Sequence, residues 1–508
     1  MRRALMLSSV ALASAACAVG PTYKKPDVPV PPAYKEVPAS QSSIGGPWKP
    51  ARPSDDTGRG KWWEVFGDTG LNGLEEQVAV SNQTVAQAEA AFRGARALAR
   101  GARAGFFPTL SAGASVTRSS GVTTHSPGTP GVPASTVTTY SVPVDLSWEA
   151  DVFGRIRRNV EAGVAGAQAS AADLEAVRLA IQAELAIDYF TLHGLDAQRQ
   201  LLDSTADGYQ TALRLTTNRY NQGVVSGVDV AQAETQLETT RAQAIDLGVA
   251  RAQLEHAIAV LLGKPPADLT FLEEPIRVAP PEIPVGLPSE LLERRPDIAA
   301  SERRVAAANA LVGVATAAYF PTFTLAASGG YESSSLTKFF SLPNRVWSLG
   351  PALFETLFDG GRRRAAREQA VATYDATVAS YRESVLAAFE DIEDDLATLR
   401  ILAEEAAQQS AAVTAAERSL TLAKNRYEGG ITTYLEVVTA QTVALANERT
   451  AVDLLTRRMT ASVDLVRALG GGWRASDLPD RGKVLAPAAS SPNSPSSSSP
   501  GLPAATQR

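Results

Sequence analysis

The sequence predicts a mixed α/β membrane protein with an internal two-fold repeat, each half offering a helix, two strands, a long helix and a returning helix. Three observations predict it. From Arg362 to Tyr427 the chain runs 66 residues with neither Pro nor Gly, and Val371, Tyr374, Val378, Tyr381, Val385, Phe389, Ile392, Leu396 and Leu399 recur at steps of three and four. That stripe is helical and close to a heptad, and at ~1.5 Å per residue the helix is roughly 100 Å long. Four shorter segments alternate apolar with polar residues, which is strand period. Landmarks also recur 207 residues apart: Arg219-Tyr220-Asn221-Gln222-Gly223 is answered by Arg426-Tyr427-Glu428-Gly429-Gly430.

Composition and the N-terminus set the compartment. Of 508 residues 44% are hydrophobic but only 6% aromatic, and the abundant Ala suits closely packed helices. The net charge is −6, or −8 once Arg2 and Arg3 leave with an export signal over 1–16, which argues against a nucleic-acid partner. The signal pairs those two cations with an apolar run from Ala4 to Ala13 and ends in Ser14-Ala15-Ala16. Cys17, the only cysteine, follows at once and cannot form an internal disulfide; it is the candidate lipidation site, although Ser14 departs from the usual Leu. Two or three acyl chains there would hold the N-terminus to a membrane. After the signal no apolar run reaches ~18 residues, so any crossing of the bilayer falls to strands.

In order, residues 17–60 are Pro/Gly-rich and read as a lipid-anchored extended strap, followed by Trp62-Trp63-Glu64-Val65-Phe66, which must dock on something. The first repeat covers 61–264. Leu71 to Arg103 is helical with a break near Ser81-Asn82, either of which can cap the second helix. Strands follow over about 107–119 and 136–150, with a Gly/Pro/Thr loop over 120–135. In the second strand Tyr140, Val142, Val144, Leu146 and Trp148 alternate with Ser141, Asp145, Ser147 and Glu149. A long helix over 155–221 and a return helix over 228–263 complete the repeat, and seven prolines over 265–288 mark a crossover. The second repeat, 289–473, has a helix from Pro296, strands over about 320–332 and 345–356, a long helix over 362–428 and a return helix over 434–469. The Ser/Pro-rich tail 474–508 is expected to be disordered.

Four strands cannot close a membrane barrel, since the smallest have ~8. An open sheet in lipid leaves unsatisfied edges. The chain must therefore share its barrel with other copies, with polar faces turned to a water-filled interior. Two, three or four copies all satisfy that argument.

The residues also carry a resemblance. Cys17-Ala18-Val19-Gly20-Pro21-Thr22-Tyr23, Trp62-Trp63 with Phe66-Gly67-Asp68, Leu291-Leu292-Glu293-Arg294-Arg295-Pro296-Asp297-Ile298, the paired tips and Ala468-Leu469-Gly470-Gly471-Gly472-Trp473 together resemble the outer-membrane efflux protein family, TolC-like outer-membrane factors, in its NodT-type lipoprotein subgroup. The resemblance implies a homotrimer. Its twelve-stranded transmembrane β-barrel would sit in outer-membrane lipid, continued by a periplasmic α-helical coiled-coil barrel. It implies the exit duct of a tripartite efflux pump of the resistance-nodulation-division type, passively conducting drugs or other small molecules. The partners implied are a periplasmic adaptor (membrane fusion) protein, which the tips meet, and an inner-membrane pump; no cofactor is implied.

Four sets of residues are candidates for function. Tyr220, Gly223, Tyr427 and Gly430 mark the helical tips; a Gly after a helix is an ordinary C-cap, and the resemblance adds adaptor docking and pore closure. Asp229 and Glu436 follow the tips. The plain reading is an acid favoured by the helix dipole; the sharper one is a ring of carboxylates at the periplasmic pore constriction, favouring cations. Thr439 stands where relatives often place another Asp, which weakens that ring. Arg155, Arg362 and Arg363, with Arg157, Arg158, Arg364 and Arg367, open the two long helices against the dipole. They read as a solvated face, or as a membrane-edge set pairing with lipid phosphates or with Glu149, Asp151, Glu355 and Asp359. Glu390, Asp391, Glu393, Asp394 and Asp395 read as a solvated helix face. His125, His193 and His256 match no metal spacing, and no catalytic motif or phosphate loop stands out, so no enzyme is expected. A type I protein-secretion duct and a non-conducting trimeric stalk are the competing readings.

Overall fold

The computed structural model describes residues 18–36, 60–121, 135–276, 278–281, 283 and 288–487. The export signal, Cys17, the rest of the strap, the loop over 122–134 and the tail beyond 487 lie outside the described residues.

Trp62–Phe66 forms a single 3-10 turn, and its rings pack on Phe190, Met459 and Val463. Two helices follow, α1 (Thr69–Ser81) and α2 (Gln83–Ala104). Asn82 separates them: its Oδ1 accepts from the N–H groups of Thr84 and Val85 at 2.9 and 3.0 Å, satisfying the first turn of α2. The strands β1 (Thr109–Ala112), β2 (Ser115–Gly121) and β3 (Ser135–Ala150) lead to α3 (Arg155–Asn221) and α4 (Gly227–Leu261). A short α5 (Pro288–Arg294) precedes α6 (Pro296–Ala317), β4 (Thr322–Ser333), β5 (Arg345–Phe354), α7 (Arg362–Glu428) and α8 (Tyr434–Ala468). Each strand-to-long-helix turn needs a left-handed residue, which Gly154 (φ 82°) and Gly361 (φ 91°) supply without Cβ strain.

All strands join one antiparallel sheet, ordered β1/β2–β3–β4–β5. The first strand, expected unbroken, is two segments in one register with β3: Ala112 faces Val144 and Ser115 faces Ser141. The break falls opposite Pro143, which has no N–H to give; only its carbonyl is used, by Gly113 N–H at 3.0 Å. Of the shorter helices, α6 and α8 pack on both long helices, α3 and α7, whereas α2 and α4 pack on α3.

The two ends of the chain cross over. After a first contact with the start of α3 through Val19 and Gly20, the described strap lies on the second repeat: Asn309 donates to Pro21 O at 3.2 Å, the Tyr23 hydroxyl bonds Glu302, and Glu393 accepts from the N–H groups of Lys35 and Glu36 at 2.7 and 3.1 Å. Tyr34 is buried there with Ile298, Val305, Tyr381 and Val385. A segment near the other end lies on the first repeat. Against the expectation of disorder from 474, a five-residue helix α9 (Arg481–Leu485) is docked between α2 and α3. Val484 and Leu485 are buried against Ala99, Ile156, Val160 and Val164, and the Arg96 guanidinium donates to the carbonyls of Lys483, Val484 and Ala486. Two apolar side chains and one arginine outweigh a composition that reads as disordered.

Glu75 on α1 is fully buried between Leu71 and Val78, and neither carboxylate oxygen has a hydrogen-bond partner. Burial alone pushes its carboxyl up to about 9, so it is a neutral acid at neutral pH. Its proton is held by the folded state over a range where the unfolded chain has lost it, so its contribution to stability falls as pH rises from about 4.3 towards 9. A Glu75→Met variant should gain stability over the parent, with the gain widening between pH 5 and 8 by up to ~1.4 kcal/mol per unit; a pH-independent difference in denaturant midpoint would exclude this. Val484→Asp should free α9 and expose Arg96 and Arg100 to trypsin at least tenfold faster, read by limited proteolysis.

Candidate functional site

The sheet has two chemically distinct faces, and pairing carries each across all its strands. Leu110, Leu146, Ala327 and Leu349 stand in one row, and Trp148, Leu325 and Pro351 in another. The alternate row runs Ser111, Asp145, Ser328 and Ser348. The large side chains of the apolar face are open: Leu110 is 70% exposed, Leu349 65% and Trp347 73%. Such a face suits hydrocarbon, and the small polar face suits water. Among the described residues no helix is long and apolar enough to cross a membrane.

The helices show where the wall is unfinished. α3 and α7 have 67 residues each, yet α3 buries twenty-three and α7 nine. α3 is flanked on one side by α2 and α4 and on the other by α6 and α8. α7 has α6 and α8 on one side only. The deficit is matched elsewhere: α6 buries fourteen residues but its counterpart α2 two, and α8 thirteen but its counterpart α4 seven. The bare flank of α7 and the bare flanks of α2 and α4 are therefore complementary halves of one seam. They lie on different elements, so copies associate head to tail, and such contacts end only by closing into a ring.

At the sheet-to-helix junction the candidate arginines find carboxylates. Arg155 forms a forked pair with Glu149 (2.9 and 2.6 Å), and Arg363 bonds Asp359 at 2.8 Å and Glu355 at 3.2 Å. Arg157 pairs with Asp151, whose oxygens also accept the first N–H groups of α3; Asp359 accepts from the N–H groups of Gly361 and Arg363 at the start of α7. The acids thus restore the negative charge that a helix N-terminus favours. Arg362 and Arg367 have no carboxylate partner among the described residues. Phe153 stacks on Phe320 at 4.7 Å, and Leu357 and Phe358, between β5 and α7, are almost fully exposed.

At the far end, Gly223 (φ 72°) and Gly430 (φ 71°) end α3 and α7 in the left-handed conformation. Val224 and Ile431 donate back to the carbonyls of Arg219 and Arg426, at 2.9 Å each. The tips are then tied unequally. Arg219 reaches across to the end of α7, donating to the carbonyls of Tyr427 and Glu428 at 2.9 and 2.8 Å and lying 4.7 Å over the Tyr427 ring. Arg426, its repeat counterpart, pairs with Glu436 of its own hairpin at 2.8 Å. Tyr427 is buried and Tyr220 half exposed. Asp229 closes a capping box with Ser226, and Thr432 bonds the second oxygen of Glu436. Thr439 bonds back to Leu435 O within its helix.

Other expectations need revision. The acidic run on α7 is not simply solvated: Glu393 holds the strap, Asp391 pairs with Arg295 at 2.9 Å, and burial together with nearby Asp464 pushes Asp395 up to about 7. His193 is buried, with Asp196 behind it and the Glu274 carbonyl before it. Arg251 pairs with Asp196 at 2.7 Å and donates to Phe271 O, so this group pins the crossover to α3 and α4. Nothing in the sequence brings these residues together; only the fold does. Among the described residues no group of three or more His, Cys, Asp or Glu could hold a metal ion.

Removing Arg219 strips two charge-assisted hydrogen bonds and a cation–π contact from the end of α7. At ~1.5–3 kcal/mol per charged bond, Arg219→Ala should raise amide hydrogen exchange over 425–434 by tenfold or more, and Arg219→Lys should recover only part of it. Unchanged exchange would mean that the tips do not depend on this cap.

The outer membrane efflux protein family model matches residues 74–264 and 287–471. Outer membrane protein OprJ of Pseudomonas aeruginosa is 32% identical over 467 residues, 91% of this chain and 95% of the relative. The toluene efflux pump outer membrane protein TtgF of Pseudomonas putida is 30% identical over 470 residues, 92% of this chain and 96% of the relative. Among solved structures, the outer-membrane channel OprN is similar at TM-score 0.80 and 33% identity, covering 90% of this chain and 100% of that one. The open state of the MtrE outer membrane channel of Neisseria gonorrhoeae is similar at TM-score 0.77 and 26% identity, covering 90% and 99%.

Proposed function

The chain belongs to the outer membrane efflux protein family, and we propose that three copies form the exit duct of a tripartite efflux pump of the resistance-nodulation-division type. The duct passively conducts drugs or other small molecules from a periplasmic complex to the exterior. The observation that carries this reading is the half-built wall: a sheet with an apolar and a polar face, both edges unpaired among the described residues, continued by a helix layer with one bare flank. Completed by copies, both layers become one tube with a wetted interior. The reading assigns the protein transport and no catalysis.

Two features support the partners and the location. The tips carry exposed Tyr220, Val224, Val228, Ile431 and Leu435 around Gly223 and Gly430, an apolar end suited to a periplasmic adaptor. Ala18 packs against Gly154 at the sheet-to-helix junction, so a lipid on Cys17 would lie at the level where the sheet leaves the membrane. Arg362 and Arg367, with no carboxylate partner among the described residues, are the members of the basic set best suited to a lipid phosphate, whereas Arg155 and Arg363 have their charge matched within the chain.

Asp229 and Glu436 repeat threefold in the trimer and give the narrow end a negative ring, tempered by Arg426 beside Glu436. Purified trimers should therefore conduct in planar bilayers with cation preference, and Glu436→Gln, which leaves Arg426 uncompensated, should lower that preference in reversal-potential measurements. Trimers that carry no current would exclude the duct.

A further inference from the structure

The repeat supplies a residue-level guide to the seam between copies. α3 and α4 answer α7 and α8 at a constant offset of 207: Arg155 to Arg362, Arg219 to Arg426, and Gly227–Leu261 to Tyr434–Ala468. Inside one chain, α3 packs on α8, and a tight approach falls at Gly194. A Cβ placed there would lie 2.3 Å from Thr456 Oγ1 and 3.1 Å from Thr456 Cβ. The equivalent seam between copies joins α7 to α4, the two elements with matching bare flanks. Adding 207 to Gly194 gives Ile401; subtracting 207 from Thr456 gives Val249. Both are apolar and exposed, 51% and 62%, and Ile245, one turn before Val249 on the same helix face, is 77% exposed.

We propose that Val249 of one copy seats on Ile401 of the partner subunit, and that this contact selects which helix docks on the bare flank of α7. The selection is steric. α8 could compete for that flank, since it already packs on the equivalent flank of α3. It does so only because position 194 has no side chain; the branched Cβ of Ile401 would occupy the space that Thr456 needs. Val249 is as large as Thr456, so α4 must sit farther from α7 than α8 sits from α3, with the gap filled by apolar contact. The seam within a chain is thus close and Gly-based, the seam between chains wider and apolar, and repeats alternate around the ring. A second copy is the occupant because the bare flanks of one chain complete each other's layers.

This inference rests on the ring-forming channel reading, and its test separates the two. Full-length Val249→Cys/Ile401→Cys protein, purified in detergent and oxidised with copper phenanthroline, should yield species of two and three chain masses that reductant abolishes. Each single variant, which retains Cys17, should give none. Val249→Cys/Gln408→Cys, displaced by seven residues or about 10 Å along α7, should give less than a tenth of that yield. A trimer by native mass that fails to link, or links equally through position 408, overturns the contact and leaves the channel reading standing. A chain that stays monomeric overturns both.

Discussion

The governing constraint is that backbone hydrogen bonds in lipid must be closed within protein. A sheet running β1/β2–β3–β4–β5 leaves two edges of unpaired N–H and C=O groups, and no other strand among the described residues pairs with them. The helix layer repeats the problem in another currency: α7 leaves apolar surface in water where α3 has buried its own. One act of association resolves both deficits together. The tube is a property of the assembly, and the single chain is a sector of its wall.

Most of the architecture was legible because long-period patterns are robust. Sixty-six residues without Pro or Gly leave little alternative to the helix that runs Arg362–Glu428, and alternation over Tyr140–Trp148 marks the strand with its two faces. The split of the first strand was hidden because its cause, Pro143, lies on the neighbouring strand. The docking of α9 was missed because two apolar residues in a Ser/Pro-rich context give no periodicity, and its anchor, Arg96, is nearly four hundred residues away.

The candidate site was legible by type more than by role. Gly223 and Gly430 were readable as helix ends, since an αL residue after a long helix is a local matter. That Arg219 caps the opposite hairpin while Arg426 stays within its own was not, because equal motifs met unequal surroundings. The acids near the membrane edge show the same limit. Asp151 and Asp359 each serve a guanidinium and a helix N-terminus at once, a double use that the turn geometry creates and residue type alone does not specify.

The crossed termini carry a consequence for biogenesis. Tyr23, Val28 and Tyr34 finish the core of the second half, and Val484 and Leu485 finish the core of the first. The first half therefore cannot finish its core until Val484 and Leu485 have emerged from a translocon, however much local helix has formed. The chain stays open and threadable through export, and consolidation waits for its final segment, a high-contact-order scheme in which commitment is late and cooperative.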